Sequence, residues 1–400
     1  MPFRKGPDQT VPPRHCVAVL INDMNAAGGI QRVAANLVRD LQPRYEMMLL
    51  SVEPLGQPVF HEPQLQFRSL GYRRSARTRL GYCIEFFRIG WRLRRFVAAN
   101  GIDIVLAIWF DWSSVAALAL PQRVKKIGCE HISFTEASPL MRRLRAWSYP
   151  YLDAVVSLTQ EDVPRLAEVS RSVRVIPNYV QPIGPGSVME REKILLTVGH
   201  LESRKGIDRL LWALKQPLLA NPDWKLVIVG GGEKGHVEWA YMDYVAALLQ
   251  MLKLGGCVEF HPTTSRIDEW YRRASIYVLG SRREGLPMVL IEAKAHGLPI
   301  VAFDCPTGPK EIVRHGTDGF LVADDSGAFA EAATKLIADA ALRRRMSDAA
   351  LDDYRERFSP EIVIGKWYDL IDAVHAGVRP QGAKARRNSG ITDSLSPLRR

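Results

Sequence analysis

SRREGLPMVLIEAKAHGLPIVAFDCPTGPKEIVRHGTDGFLV, residues 281–322, is the stretch from which the rest of the chain can be read. An apolar run at Ile276–Leu279 precedes it, so Glu284 falls just beyond the end of a predicted strand. The turn Gly285-Leu286-Pro287 follows, and a helix is predicted from Pro287 to His296. Proline suits a first helical position because it has no amide hydrogen to leave unpaired, and Gly297 is a natural stop. A further β-branched run, Ile300–Phe303, then returns to the sheet. Strand, tight turn, helix and strand make one unit of a parallel sheet. Its helix would aim free backbone amides, near Leu286 to Val289, into the crevice at the strand ends, where a diphosphate is readily held. Glu292 lies eight residues after Glu284, about one and a half turns into that helix. A carboxylate before the helix and one inside it can reach different hydroxyls of one ligand. Taken alone, two glutamates at this spacing are more often structural, with Glu292 on a solvated helix face.

The same alternation of short apolar runs and helical stretches extends in both directions, the mark of parallel α/β sheets. In the first half His15–Ile21, Met47–Val52, Ile104–Ile108, Lys126–Cys129, Ala154–Leu158 and Val173–Pro177 read as strands, with Ile30–Leu41 and Ala76–Ala99 as helices. Thr159 and Asp162 have the spacing of a capping box. A turn at Asn178 and the loop QPIGPGSV, Gln181–Val188, mark a domain boundary. The pattern restarts at Ile194–Val198 and continues through Lys225–Val229, with Gly230-Gly231-Gly232 behind it, and Val258–His261. Pro360–Ala376 reads as a last helix. The fold class expected is α/β, with two Rossmann-like parallel-sheet domains. The division expected is a flexible start over 1–14, a first domain over 15–182, a second over 183–359, a helix over 360–376 and a disordered basic tail over 377–400.

Four hundred residues suit two domains, and 47% hydrophobic with 24% charged residues is ordinary globular composition. Five cysteines are scattered singly, which argues against a disulfide framework or zinc site and fits a reducing cytosol. The basic start is a poor signal peptide, because its apolar run ends at Asn22-Asp23. Val105–Leu120, the longest apolar stretch, is interrupted by Asp111 and two serines and falls short of a membrane span. The net charge of +11 is uneven. Residues 1–190 hold 24 Lys+Arg against 16 Asp+Glu, and residues 191–376 hold 24 against 26. The first half therefore faces something anionic, with lipid, phosphorylated substrate and nucleic acid all open on charge alone. No RNA-binding or helix-turn-helix signature supports nucleic acid.

Four segments in order carry a resemblance: NAAGGIQRVAANL at Asn25–Leu37, VIPNYV at Val175–Val180, VGHLESRKGIDRLLWAL at Val198–Leu214, and the stretch quoted first. Together they resemble the family 4 glycosyltransferases of GT-B fold, whose signature is E-x7-E, over nearly all of residues 15–375. The resemblance implies a cleft between the two domains and a final helix, 360–376, packing back toward the first. It implies a retaining, metal-independent transfer of a sugar from a nucleotide donor, with no cofactor. The chain has no D-x-D triplet of the kind that carries a metal in the other major transferase fold.

By that resemblance Glu292 binds the donor ribose and Glu284 contacts the sugar ring. The backbone of Gly285, Leu286, Pro287, Met288 and Val289 holds hydroxyls and phosphate oxygens, and Lys205 neutralises the diphosphate. Many members have arginine where this chain has His200, so the second cation is open between His200 and Arg204. Gly28 and Gly29 lie near the phosphates, where glycine lets backbone approach a ligand. His131 touches the donor sugar and organises the acceptor, and His261 lies near the nucleobase. The forms GLPMVLIEA and AFDCPTGPKEIV resemble bacterial members that build surface polysaccharides. The partners implied are a nucleotide sugar, UDP-linked, and a lipid-linked or glycan acceptor. A 2-epimerase of the same architecture and a non-catalytic binding partner are the rival readings.

Two basic, aromatic stretches complete the reading. Tyr72–Phe96 carries eight arginines (Arg73, Arg74, Arg77, Arg79, Arg88, Arg92, Arg94 and Arg95), with apolar residues that only partly segregate to one face. Pro139–Tyr151 adds Arg142, Arg143 and Arg145 beside Trp147 and two tyrosines. A solvated helix would account for both. A peripheral surface on an anionic membrane would as well, and it places the chain in the cytoplasm on the inner face of the cytoplasmic membrane.

Overall fold

A computed structural model describes residues 15–25, 29–56, 65–131, 133–134, 137–182, 191–231 and 239–378. The N-terminal 1–14, Gly28, Gly232 and the tail from 379 lie outside the described residues.

The first domain runs β1 (Cys16–Ile21), α1 (Gly29–Leu41), β2 (Glu46–Ser51), β3 (Phe67–Ser69), α2 (Arg79–Ala99), β4 (Ile104–Ile108), α3 (Phe110–Ala119), β5 (Lys125–Glu130), α4 (Pro139–Ser148), β6 (Ala154–Ser157), α5 (Val163–Val169) and β7 (Val173–Val175). The second runs β8 (Ile194–Val198), α6 (Ile207–Ala220), β9 (Lys225–Val229), α7 (Trp239–Leu252), β10 (Val258–His261), α8 (Ile267–Arg273), β11 (Ile276–Leu279), α9 (Met288–Ala295), β12 (Ile300–Phe303), α10 (Pro309–Ile312), β13 (Gly319–Val322), α11 (Ser326–Ala338) and α12 (Ala340–Arg357). The closing helix is α13 (Pro360–His375).

Both sheets are parallel, in the orders β3-β2-β1-β4-β5-β6-β7 and β10-β9-β8-β11-β12-β13. Strands covered on both faces read as unbroken apolar runs, and β1, β4 and β6 are buried at every residue. In each sheet the strand order reverses beside the first strand, between β1 and β4 and between β8 and β11. Ligand crevices form at the carboxyl ends of strands at such switch points. The loops after β8 and β11 therefore meet, and Lys205 and Glu284 sit on them.

Val105–Leu120 proves to be β4 and α3 in succession. The capping box at Thr159 does not form. Thr159 Oγ1 stays 3.5 Å from Asp162, whose other oxygen accepts from Ser133 Oγ and the Phe134 amide at 3.0 and 3.1 Å. Asp162 thus ties down the loop after β5 instead of capping α5.

Helix α13 lies against the first domain. Val363, Trp367, Leu370, Ile371 and Val374 join the core formed by β1, β4 and α1, and Tyr45 donates to Asp372 at 2.6 Å. Helix α2 has two apolar faces about half a turn apart. Ile89, Leu93 and Val97 pack on the sheet. Leu80, Ile84, Phe87 and Trp91, at i, i+4, i+7 and i+11, form one exposed stripe on the opposite side. No helix of the described residues is long and apolar enough to cross a membrane.

Candidate active site

A cavity of about 820 Å³ lies between the domains, lined from the first by Gly29, Arg32, Trp109 and His131 and from the second by His200, Lys205 and Glu284 through Val289, with Glu292. Glu284 is buried behind β11. Its Oε1 accepts from Lys205 Nζ at 2.8 Å and from Ser281 Oγ at 2.7 Å. Arg204 Nη1 stands 3.5 Å from the other oxygen and is itself braced by Glu202 at 2.6 Å. Arg204 and Lys205 thus bring two cations to the Glu284 carboxylate at the cavity wall, with Glu202 balancing Arg204. His200 lines the same wall.

Glycine is required to bring these loops together. Gly206, at φ +64, follows Lys205, and a Cβ there would lie 2.1 Å from the Gly280 carbonyl. Gly308, at φ +81, would meet the Gly285 carbonyl at 2.2 Å. Either substitution would push the Lys205 and Glu284 loops apart. Thr307, beside Gly308, has φ 57 and donates its hydroxyl to the Glu284 carbonyl.

Pro287 caps α9 instead of occupying its first turn, and His296 and Gly297 (φ +63) end the helix. The first amides of α9 thus have no carbonyl a turn earlier and face the cavity with Leu286, Met288 and Val289. Glu292 accepts from Tyr271 Oη at 2.8 Å and from Arg32 Nη1, across the cleft, at 3.2 Å. Burial raises its carboxyl pKa, against the pull of Arg32 and Tyr271.

From the first domain, His131 reaches the cavity at the end of β5, and its carbonyl is the atom a Cβ on Gly285 would approach to 3.1 Å. Burial pushes the His131 imidazole down to about 4, so it is neutral at physiological pH. Behind it Glu130 is held by Arg145 through Nη2 at 2.6 Å and Nε at 3.2 Å, and by the Tyr149 hydroxyl. Burial pushes the Glu130 carboxyl up to about 7, and Arg145 opposes that shift.

Two profiles divide the chain between them: Glycosyltransferase Family 4 over residues 27–182 and Glycosyl transferases group 1 over residues 185–353. The amylovoran biosynthesis glycosyltransferase AmsD of Erwinia amylovora is 33% identical over 373 residues, spanning 88% of this chain and 99% of its own. The chain is a family 4 glycosyltransferase. A Campylobacter jejuni relative, GalNAc-alpha-(1->4)-GalNAc-alpha-(1->3)-diNAcBac-PP-undecaprenol alpha-1,4-N-acetyl-D-galactosaminyltransferase, is 25% identical and covers 90% of this chain and 98% of its own. The fold is GT-B. Anabaena HepE, solved with UDP and glucose, superposes with a TM-score of 0.73 at 17% identity, over 89% of this chain and 99% of that one.

In this glycosyltransferase one expected donor residue stands off the cavity wall, and one expectation about the basic patches is corrected. His261 is not among the residues lining the cavity. It closes the edge strand β10, where its ring packs on Trp270 at 4.3 Å, and Thr263 and Thr264 of the next loop take the wall instead. Arg145 does not belong to the exposed basic patch. It is fully buried between the rings of Phe110 and Phe134, 5.0 and 5.2 Å away, and Tyr149 is buried with it. Arg92 stays exposed and donates to the carbonyls of Leu70 and Gly71.

Sequence reasoning missed Arg32, Tyr271 and Trp109. Arg32 and Tyr271 carry no signal of their own, since nothing in a single sequence joins them to Glu292. Trp109 has φ 90, a strained value for a non-glycine residue that ends a strand at the cavity.

Proposed function

We propose that the enzyme moves a hexose or N-acetylhexosamine, with retention and without a metal, from a UDP-linked donor to a lipid-linked or polysaccharide-precursor acceptor. The observation that carries the reading is the contact of Lys205 with Glu284 at 2.8 Å, beside the amino end of α9. Cations and unpaired amides suit a nucleoside diphosphate that gains charge as the glycosidic bond breaks. Glu292, held in place by Tyr271, offers acceptor atoms for the ribose, and Glu284 for the sugar. Neutral His131 can donate to a sugar hydroxyl from the opposite wall without repelling Lys205. The UDP of the HepE structure and the polyprenyl-diphosphate substrate in the Campylobacter relative's name support the donor and acceptor classes.

The α2 stripe supports a peripheral seat on an anionic membrane. Phe87 is 75% exposed and Leu80 72%. Arg77, Arg88 and Arg94 beside them have no ion-pair partner among the described residues, and Arg95 rests on Trp91 at 4.6 Å. Aromatics flanked by arginines match an interface with anionic headgroups.

Incubation with UDP-, GDP- and ADP-sugars, with and without an undecaprenyl-diphosphate-linked acceptor, tests the assignment. Sugar transfer that requires acceptor, unaffected by EDTA, is expected. Formation of an epimer without acceptor, or no reaction with any donor, would refute it. Sedimentation with anionic and with zwitterionic vesicles tests the membrane seat, which equal weak binding to both would refute.

A further inference from the structure

A second cavity, of about 690 Å³, opens at the end of the first sheet remote from the cleft, where β5, β6 and β7 begin. Five residues of strand separate Lys126 from His131, so the two cavities lie roughly 15 Å apart along β5. Lys125, Lys126 and Arg171 line this cavity against one carboxylate, Asp153. Both oxygens of Asp153 are engaged, one 3.6 Å from Lys125 Nζ and one accepting the Lys126 amide at 2.8 Å. The Lys126 side chain is only 4% exposed and its ammonium has no carboxylate within ion-pair distance among the described residues. It points to the face of β5 that Glu130 shares, under α3 and α4. Burial lowers its pKa despite Asp153.

Three cations against the single carboxylate of Asp153 leave this cavity with an excess of positive charge that an anion would balance. The rim names the company such an anion would keep. Trp147 and Tyr151 stand at the mouth, 61% and 57% exposed, with Leu140 on the same face of α4. Helices α2 and α4 both pack on α3, so this rim and the α2 stripe lie on one side of the domain. The chain's own segment after Val378 is a poor occupant, since residues 379–400 hold six basic residues against one acidic.

We propose that this cavity is a second anion site, distinct from the reaction cleft, that takes the phosphate of a lipid headgroup while the lipid's apolar part lies against Trp147 and Tyr151. The lipid assignment rests on the membrane seat proposed above; the anion site itself does not.

The test uses the full chain and K126M, which keeps the stem and removes the charge, with R171Q as a second variant. Glycerol 1-phosphate should raise the thermal midpoint of the wild type and not that of K126M. Vesicles containing phosphatidylglycerol should bind K126M and R171Q about fivefold more weakly, the effect of one lost headgroup cation. F87S/W91S should lose binding to all vesicles, and K126M should transfer sugar to a soluble acceptor at the wild-type rate. Without ligand, K126M should melt at or above the wild-type temperature, because a buried Met needs no counter-charge. A marked loss of stability would instead make Lys126 structural and overturn the site. Equal responses of wild type and K126M to glycerol 1-phosphate would overturn it as well. If wild type binds no vesicle but only K126M loses the glycerol 1-phosphate response, the membrane seat and the lipid assignment fall and the anion site stands.

Discussion

Arg32, on the first turn of α1, reaches across the cleft to Glu292 on α9 at 3.2 Å and so joins the two domains at the carboxylate expected to receive the donor ribose. Tyr271 holds the other oxygen of Glu292 at 2.8 Å from below. Arg32 is half exposed, and such pairs contribute about 0–1 kcal/mol. A donor hydroxyl can therefore displace it at little cost, whereas the buried Tyr271 contact stays.

R32M should loosen the unliganded closed arrangement by up to about 1 kcal/mol, roughly a fivefold change in the open-to-closed ratio. Small-angle scattering without donor would show a larger radius of gyration than the wild type, and saturating UDP should remove the difference. Identical scattering curves would mean that the pair does not hold the domains.

K205A and E284A should each lower turnover by about 10²–10³-fold, the usual effect of removing one preorganised charge at the site of bond breaking. K205A should also weaken UDP binding in calorimetry. Near-normal turnover in both variants, with unchanged melting, would remove the assignment of this wall to the donor.

R145A should be among the most destabilising substitutions in the first domain. It leaves Glu130 buried without its partner, and breaking such a pair costs about 3–5 kcal/mol. Urea unfolding would show that loss, and E130Q/R145M should recover part of it because both charges go together. An R145A midpoint within error of the wild type would contradict the buried pair.

His131 and His296 are both pushed down to about 4 by burial, below the ordinary value of 6.5. The unfolded chain therefore binds more protons than the folded one between those values. Their contribution to stability is full above pH 6.5 and is lost as pH falls toward 4, by on the order of 1 kcal/mol per pH unit for each histidine. Glu130, pushed up to about 7, has the opposite sign. Comparing wild type with H296F cancels that term. From pH 7 to pH 5 the wild type should lose more stability than H296F, and parallel curves would contradict the shift at His296.

Most of the strands were legible because they are buried on both faces, so apolar runs stand out without any knowledge of neighbours, with the edge strand β10 an exception. Ile104–Ile108, Ile194–Val198, Lys225–Val229, Val258–His261, Ile276–Leu279 and Ile300–Phe303 appear in the structure with the bounds read from the sequence. The short edge strand Phe67–Ser69 was not legible, since three half-exposed residues make no pattern. Helix α2 looked poorly amphipathic because it carries two apolar stripes, one for the sheet and one facing outward.

The chain alone determined two parallel sheets, the loops that end beside their switch points, and the acidic and basic residues on those loops, because each depends on neighbours within about a dozen positions. Tertiary structure decided which of those residues meet. Lys205 and Glu284 are 79 positions apart and meet because β8 and β11 pair in one sheet, whereas Arg32 and Glu292 are 260 apart and meet only where the two domains face each other. It also decided that Arg145, indistinguishable in sequence from Arg142 and Arg143, is buried while they stay exposed: α4 turns that one position toward Glu130, and a charge can be kept there only against its counter-charge.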